Sequence, residues 1–129
     1  MKFEEYRKHD AVGLAGLVAK GEVSAGELLD TAVARMAEVN PTLNAVTLDL
    51  SEMARKALPA KPQGPLGGVP YLLKDLGAMM AGTVTTGGSR LWKDNLAAAD
   101  SAIVTLYKQA GLNIFSKTNT PEFGLMPIT

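Results

Sequence analysis

The sequence predicts an α/β protein in which N-terminal helices lead into a portion that contains a β-sheet. Apolar residues recur at helical spacing within residues 12–18 and 28–39. Apolar runs of strand length, residues 69–73 and 112–115, lie on either side of a further helical pattern that follows Asp100. A strand, a crossover helix and a second strand form a βαβ unit. The chain has 129 residues, of which 47% are hydrophobic, and this is enough to build one continuous core.

Two helices are predicted before the first strand. The first follows Asp10, and Gly21 marks its end because glycine is favoured just past a helix C-terminus. The second begins at Ser24, which forms the pattern of a capping box with Glu27. We expect this second helix to end near residues 40–41, where a proline follows an asparagine.

A short strand and a short helix are predicted next. Residues 44–50 alternate and include β-branched side chains, which indicates a strand. Ser51 is expected to be the N-cap of a helix that ends before Pro59. Residues 59–68 concentrate proline, glycine and lysine, so they form either a surface loop or a linker, and we favour a loop inside one domain.

The chain is expected to form one unit with two portions. Residues 1–60 are predicted to be mainly a helical lead-in, and residues 61–129 to be the sheet portion. Within the sheet portion, residues 82–89 are rich in glycine and threonine and indicate a loop. Asp100 is expected to cap the crossover helix, which ends at Gly111.

Composition excludes several classes of function. Lysine plus arginine equals aspartate plus glutamate at 13 each, so there is no field of one sign to attract nucleic acid or anionic lipid. The absence of cysteine, with a single histidine, leaves little basis for a metal site. Residues 82–89 also lack the lysine and the spacing of a phosphate-binding loop. We therefore expect no metal, no cofactor and no nucleic-acid partner.

The N-terminus carries no targeting pattern that we can identify. Residues 1–8 are mixed in charge and have no apolar core of the kind found in signal peptides. Apolar stretches elsewhere fall well short of the roughly 18 residues that a membrane span needs. These features predict a soluble, cytoplasmic protein without a membrane partner.

Lys74 is the first candidate for chemistry. It follows the apolar run at residues 69–73, so we expect it at the C-terminal end of a buried strand, where open α/β sheets bind their ligands. A lysine withdrawn from water there can act as a general base or form a Schiff base. Alternatively, Lys74 is an edge lysine that extends into water or pairs with Asp75.

Several segments together resemble the amidase-signature hydrolases. Residues 67–75, with the sequence GGVPYLLKD, resemble the catalytic-lysine segment of that family. A second match, spaced as in the family, comprises residues 100–102 at the start of a helix and residues 111–124 after it, and residues 40–45 resemble the N-terminal region. The resemblance covers nearly the whole chain. It implies an incomplete amidase-signature fold, with part of a mixed β-sheet flanked by helices.

The resemblance also implies an activity, the hydrolysis of carboxylic amide C–N bonds. In such enzymes a serine attacks the amide carbonyl, a second serine with a cis peptide bond relays its proton, and a lysine is the ultimate base. Lys74 matches that lysine. The segment that supplies both serines lies downstream of Asn119 in the family, and these 129 residues do not contain it. We therefore expect this chain to be inactive by itself.

The resemblance implies further residues around Lys74. Asp75 and Asn119 are expected to support it, with Asn119 forming a hydrogen bond nearby; the alternative for Asn119 is to cap a helix that begins at Pro121. Gly124 and Leu125 are expected to border the acyl side of the substrate, and the apolar Leu125 suggests an apolar substrate portion.

Ser89 is a second candidate for chemistry, after Lys74. It follows two glycines and superficially resembles a nucleophile in a glycine-rich turn. Arg90 comes next, however, and the double-serine context of the family is absent. We favour a structural role for Ser89.

Three functional hypotheses are compatible with the sequence. The favoured one is an amide hydrolase that acts on a small-molecule amide and needs the missing C-terminal part of the enzyme, or a second copy of the chain. The second is a catalytically inert amidase-like fragment that acts as a binding or assembly module. The third is a Schiff-base enzyme that uses Lys74.

Overall fold

The computed structural model describes residues 1–129. It contains five α-helices, three β-strands and two short 3₁₀ turns. The helices are α1 (Phe3–Tyr6), α2 (Ala11–Lys20), α3 (Ala25–Leu43), α4 (Ser51–Ala57) and α5 (Ala102–Gln109); the strands are β1 (Val46–Asp49), β2 (Pro70–Lys74) and β3 (Asn113–Thr118). The 3₁₀ turns are Arg90–Trp92 and Glu122–Gly124. The predicted α/β class is confirmed, whereas the short helix α1 was not predicted.

Helix α2 begins and ends where the sequence indicates. The side chain of Asp10 accepts a hydrogen bond from the backbone N–H of Gly13 at 2.7 Å, which satisfies one free donor of the first turn. Gly21 follows the last helical residue in the left-handed conformation, with φ of 71°, and its N–H returns to the carbonyls of Leu17 and Val18.

Helix α3 has the predicted start but a later end. The hydroxyl of Ser24 accepts from the N–H of Glu27, and the Glu27 carboxylate accepts from the N–H of Ser24. The expected end at residues 40–41 is wrong, because the helix continues through Pro41 to Leu43. The side chain of Asn40 bonds to both the N–H and the carbonyl of Val46, at 2.8 and 2.9 Å. These bonds to the following strand hold the last turn despite the amide that proline lacks.

Two predicted caps lie one residue away from the observed ones. Ser51 is the first residue of α4 and its N–H donates to the carboxylate of Asp49 at 2.8 Å. Ser101, not Asp100, occupies the N-cap position of α5, and its hydroxyl makes no hydrogen bond there. In both cases a carboxylate before the helix makes a contact that an N-cap pattern does not predict. Asp49 accepts from Ser51, and Asp100 accepts from groups outside the first turn of α5.

Asp100 instead fastens the crossover connection. Its carboxylate accepts from the Lys108 ammonium at 2.6 Å and from the N–H of Ala81 at 2.8 Å. The Lys108 hydrogen bond, followed by that from Ala81, lowers the pKa of Asp100. The helix is thus tied to the loop that precedes it.

The three strands form a mixed sheet in the order β1-β3-β2. β3 lies in the centre, antiparallel to β1 and parallel to β2, so that β2, α5 and β3 are the predicted βαβ unit. The mixed sheet that the family resemblance implies is therefore present. The strand expected to be buried, β2, is an edge strand with Leu72 and Lys74 exposed, whereas residues 113–117 of β3 are buried. A central strand has neighbours on both sides, and an edge strand has one.

Residues 59–68 form a loop that packs against the start of β3. The N–H of Gly68 donates to the carbonyl of Gly111 at 2.9 Å, and the N–H of Leu66 donates to that of Ala110 at 2.8 Å. Gly111 has φ of 90°, and a Cβ there would lie 2.0 Å from the carbonyl oxygen of Gln63.

No helix combines the length and apolarity required to cross a bilayer.

We expect Ser24→Ala to lower the free energy of unfolding by about 1 kcal/mol, because it removes half of the capping box. Ser101→Ala is a matched control, since that N-cap hydroxyl makes no hydrogen bond, and it should change stability by less than about 0.5 kcal/mol. Urea unfolding followed by circular dichroism measures both. Equal losses in the two variants would contradict the assigned role of Ser24.

Candidate functional site

Lys74 is the last residue of β2 and lies at the carboxyl end of the two parallel strands. In the parallel register Lys74 pairs with Thr118, and Leu73 pairs with Lys117. Side chains alternate between the two faces of a sheet, so Lys74 and Lys117 project from opposite faces. Thr118, which was not predicted as a site residue, is the neighbour of Lys74 on the adjacent strand.

Lys74 is exposed and forms none of the ion pairs of the chain. The expected withdrawal from water is therefore absent in these 129 residues. Lys74 is instead the edge lysine of the alternative, which extends into water and does not pair with Asp75. The physical reason is the face on which Lys74 lies. Leu73, on the same strand but on the opposite face, is only 1% exposed, whereas Leu72 and Lys74 lie on a face that is open at β2.

The buried lysine of this region is Lys117. Its side chain is 0% exposed, and its ammonium donates to the carbonyl of Val84 at 2.6 Å and to the hydroxyl of Thr85 at 2.5 Å. Burial lowers the pKa of Lys117, and the facing carboxylate of Asp75 opposes this shift. Sequence reasoning missed its role. The available signal was a lysine in the strand segment that follows the crossover helix, directly after Ile114, Phe115 and Ser116.

Asp75 is buried and faces Lys117 instead of Lys74. Its Oδ1 atom lies 3.5 Å from the Lys117 ammonium and makes no hydrogen bond. Its Oδ2 atom accepts from the N–H of Thr86 at 3.0 Å and from the Thr86 hydroxyl at 2.5 Å. The backbone carbonyl of Asp75 also accepts from the N–H of Gly87 at 2.9 Å. Asp75 therefore ties the turn at residues 86–87 to the end of β2.

Asn119 bonds on the β1 side of the sheet. Its Nδ2 atom donates to the carbonyl of Asn44 at 3.1 Å, and its Oδ1 atom accepts from the N–H of Thr120 at 2.9 Å. The expected hydrogen bond near Lys74 is absent, because β3 lies between β1 and β2 and Asn119 bonds towards β1. Only the short 3₁₀ turn follows Pro121, so the alternative role as the cap of an α-helix is also not realised.

Ser89 has the structural role that we favoured. Its buried hydroxyl donates to the Glu122 carboxylate at 2.6 Å and accepts from the N–H of Leu91 at 3.3 Å. The N–H of Phe123 donates to the carbonyl of Gly87 at 2.8 Å. These bonds fasten the glycine turn to the 3₁₀ turn at residues 122–124.

Gly124 and Leu125 lie at the end of that 3₁₀ turn. Leu125 is 79% exposed, and Gly124 has φ of 72°. Leu76 connects this region with the lysine segment, since a Cβ added to Gly124 would lie 3.0 Å from one of its methyl carbons. Phe123 has a positive φ of 51°, and its ring packs edge-on against Trp92 at 5.4 Å between centroids. The predicted substrate residue Gly124 therefore packs against Leu76, which lies two residues after Lys74.

A cavity of about 500 Å³ lies elsewhere, at the amino-terminal ends of β2 and β3. Its lining includes Leu58, Gly68, Asn113 and Ile114, and none of the predicted site residues. Open α/β sheets bind ligands at the carboxyl ends of their strands, so the edge with Lys74 remains the candidate site. No group of three or more histidine, cysteine, aspartate or glutamate side chains is placed to hold a metal ion.

Comparison with known proteins decides the family. The model of the family described as amidase matches residues 27–129, which is most of the chain. The chain belongs to the amidase family. The expectation based on residues 67–75 and 111–124 is therefore confirmed.

Individual relatives agree with this assignment to the amidase family. A 6-aminohexanoate-cyclic-dimer hydrolase of Paenarthrobacter ureafaciens is 41% identical over 117 residues, which are 89% of this chain and 24% of the relative. An acylamidase of Rhodococcus erythropolis is 36% identical, over 88% of this chain and 25% of its own length. The solved structure of 6-aminohexanoate cyclic dimer hydrolase has a TM-score of 0.82 at 40% identity, over 89% of this chain and 24% of that one. This chain thus spans about a quarter of the length of the relatives it matches.

We expect Lys117→Met to lower the free energy of unfolding by about 3–5 kcal/mol, because it leaves the Asp75 carboxylate buried without its counter-charge. Lys74→Met is the matched control. It makes the same substitution at an exposed lysine of the adjacent strand, one residue beyond the Leu73 that pairs with Lys117, and should change stability by less than about 0.5 kcal/mol. Denaturant unfolding of both variants measures the difference, and similar losses would refute the burial argument.

Proposed function

We propose that this chain is part of an enzyme that hydrolyses carboxylic amide C–N bonds, with Lys74 as its catalytic base. The observation that carries the proposal is the position of Lys74 within an amidase family match. It lies at the carboxyl end of a parallel strand pair, with its side chain exposed and not engaged in any ion pair. An amine in that position is available to a partner group that approaches the strand ends.

The proposed reaction needs groups beyond those described. The serine hydroxyls that donate hydrogen bonds in this chain do so away from Lys74: Ser24 to Glu27, Ser89 to Glu122, and Ser116 to Met36 and to the carbonyl of Phe115. By resemblance to the family, a serine supplied by another segment forms the bond to the carbonyl carbon. The proton of the attacking serine passes to a second serine, for which Lys74 is the base. A proton then reaches the departing amine by the same route as the C–N bond breaks. Water then releases the acid and regenerates the serine.

The substrate is proposed to be a small linear or cyclic amide with an apolar acyl portion. Exposed Leu125 and the adjacent Phe123–Trp92 ring pair offer an apolar surface close to the lysine segment. Two of the matched relatives are named as a 6-aminohexanoate-cyclic-dimer hydrolase and an acylamidase, and these names support a cyclic or acyl substrate. Asp75 is proposed to support this site through its hydrogen bonds with the turn at residues 86–87, and Gly124 and Leu125 are proposed to border the acyl portion of the substrate.

We expect Lys74→Ala to lower kcat by about 10²–10⁴-fold in the complete polypeptide that carries this segment, the usual contribution of a positioned base. Lys61→Ala, at an exposed lysine in the 59–68 loop, should retain kcat. Hydrolysis of an anilide or a cyclic diamide, followed by chromatography, measures both. Residues 1–129 alone should give no turnover, since the nucleophile is absent. Turnover by this chain alone, or full activity of Lys74→Ala, would exclude the proposed mechanism.

A second candidate function is a non-catalytic binding module, and exposed apolar surface favours it. Leu91, Leu125 and Ile128 are 80%, 79% and 74% exposed, and β2 has an unpaired edge within this chain. The proposed partner is the remaining part of the same enzyme or a second copy.

We expect residues 1–129 to co-elute with the complementary part of the polypeptide in size-exclusion chromatography, because the free β2 edge and the apolar side chains favour association. Leu91→Lys should weaken this co-elution, whereas Lys93→Leu should not. A monodisperse monomer that ignores the complement would contradict the binding interpretation. Hydrolysis restored on mixing would favour the enzyme.

A further inference from the structure

Lys117 is a fully buried ionisable group near the candidate site, and the proposed reaction does not use it. Its ammonium lies inside the protein with three oxygen atoms around it, those of Val84, Thr85 and Asp75. A buried charge of this kind is costly unless it is well paired, so its partners are held strongly in place. Each of these partners belongs to the segment that connects β2 to α5.

The partner Asp75 is the residue directly after Lys74. Side chains alternate along an extended strand, so residues 73 and 75 face one side and residue 74 faces the other. Leu73 is buried in the core, and Asp75 is held on the same side by Lys117 and Thr86. With both neighbours fixed on one side, the backbone at Lys74 can present its side chain only to the opposite side.

The same contacts also fix the surroundings of Lys74. Val84 and Thr85 accept hydrogen bonds from Lys117, and the N–H groups of residues 86 and 87 donate to Asp75. The loop is therefore bonded to both members of the ion pair. The turn at residues 86–87 then contacts the 3₁₀ turn that carries Gly124. An ion pair on one face of the sheet therefore sets the geometry of the lysine on the other.

We propose that Lys117 is a positioning residue for the amidase reaction, acting through Asp75 to orient Lys74 and the turn beside it. This inference rests on the proposed function in one respect, namely that Lys74 is the base. Because the Lys117 side chain is fully buried, we expect it not to touch the substrate, and therefore to affect the rate of the chemical step and leave substrate binding unchanged.

The test compares two buried threonines of the same loop in the complete polypeptide. Thr85→Val removes the hydroxyl that bonds to the Lys117 ammonium, whereas Thr83→Val removes an equally buried hydroxyl that bonds to the carbonyl of Met80. We expect Thr85→Val to lower kcat by roughly tenfold with KM within about twofold, because small misplacement of a catalytic group is costly. Thr83→Val should keep kcat within about twofold.

Lys117→Met provides the stronger perturbation, assayed at a temperature at which circular dichroism shows it folded, and should lower kcat further than Thr85→Val. If it does not fold, the two threonine variants decide the question. Equal kcat losses in Thr83→Val and Thr85→Val, or a wild-type kcat in Thr85→Val, would overturn the positioning role.

Hydrogen exchange on residues 1–129 separates this inference from the proposed function. In Thr85→Val the amides of Thr86 and Gly87, which donate to Asp75, should exchange about tenfold faster than in Thr83→Val. If Lys74→Ala proves fully active, the proposed function fails while this exchange difference still supports the orienting contact. If Lys74→Ala is inactive and neither exchange nor kcat distinguishes the threonines, only the positioning role fails.

Discussion

The buried ammonium of Lys117 is the constraint on which the arrangement around the candidate site depends. A charge at the centre of the sheet requires oxygen partners, and the chain supplies them from the residues that follow β2. Because Asp75, Val84 and Thr85 all contact the Lys117 ammonium, the connection to α5 stays packed against the sheet. It folds back over the strand ends and carries the glycine turn to the 3₁₀ turn at residues 122–124. The segment that the family resemblance assigns to substrate is thereby brought next to the segment that carries Lys74.

Lys74 and Lys117 lie on opposite faces of the sheet and differ in burial. Lys117 pairs in register with Leu73 and lies with the core, while Lys74 pairs with Thr118 and faces outward. Their sequence contexts are similar, since each comes at or near the end of a strand. Their environments differ because Lys117 lies on the covered face beside Leu73, whereas Lys74 lies on the face that is open at β2. Membership of the amidase family gives the exposed lysine a proposed chemical role, and the structure gives the buried one a proposed supporting role.

The relatives that this chain matches are longer than the chain itself. The matched proteins are about four times as long, and their structures superpose closely on the residues described here. The unpaired edge of β2 and the exposed apolar residues near Leu91 and Leu125 are the surfaces on which further structure is proposed to pack. The amidase activity proposed for the complete polypeptide depends on that packing, since a base requires a nucleophile to serve.

Local physical chemistry was sufficient to predict much of the fold. The start of α2 after Asp10 and the Ser24–Glu27 capping box follow from residues close together in the chain, and the βαβ unit follows from the periodicity of three successive segments. The family motif likewise requires only the order of residues 67–75. The continuation of α3 through Pro41, the direction of Asn119 and the burial of Lys117 instead depend on contacts between distant segments. A lysine near the end of a strand looks the same in sequence whichever face of the sheet it lies on. The register of β2 and β3 decided which lysine was buried, because it places Lys117 beside Leu73 on the covered face and Lys74 beside Thr118 on the face that is open at β2.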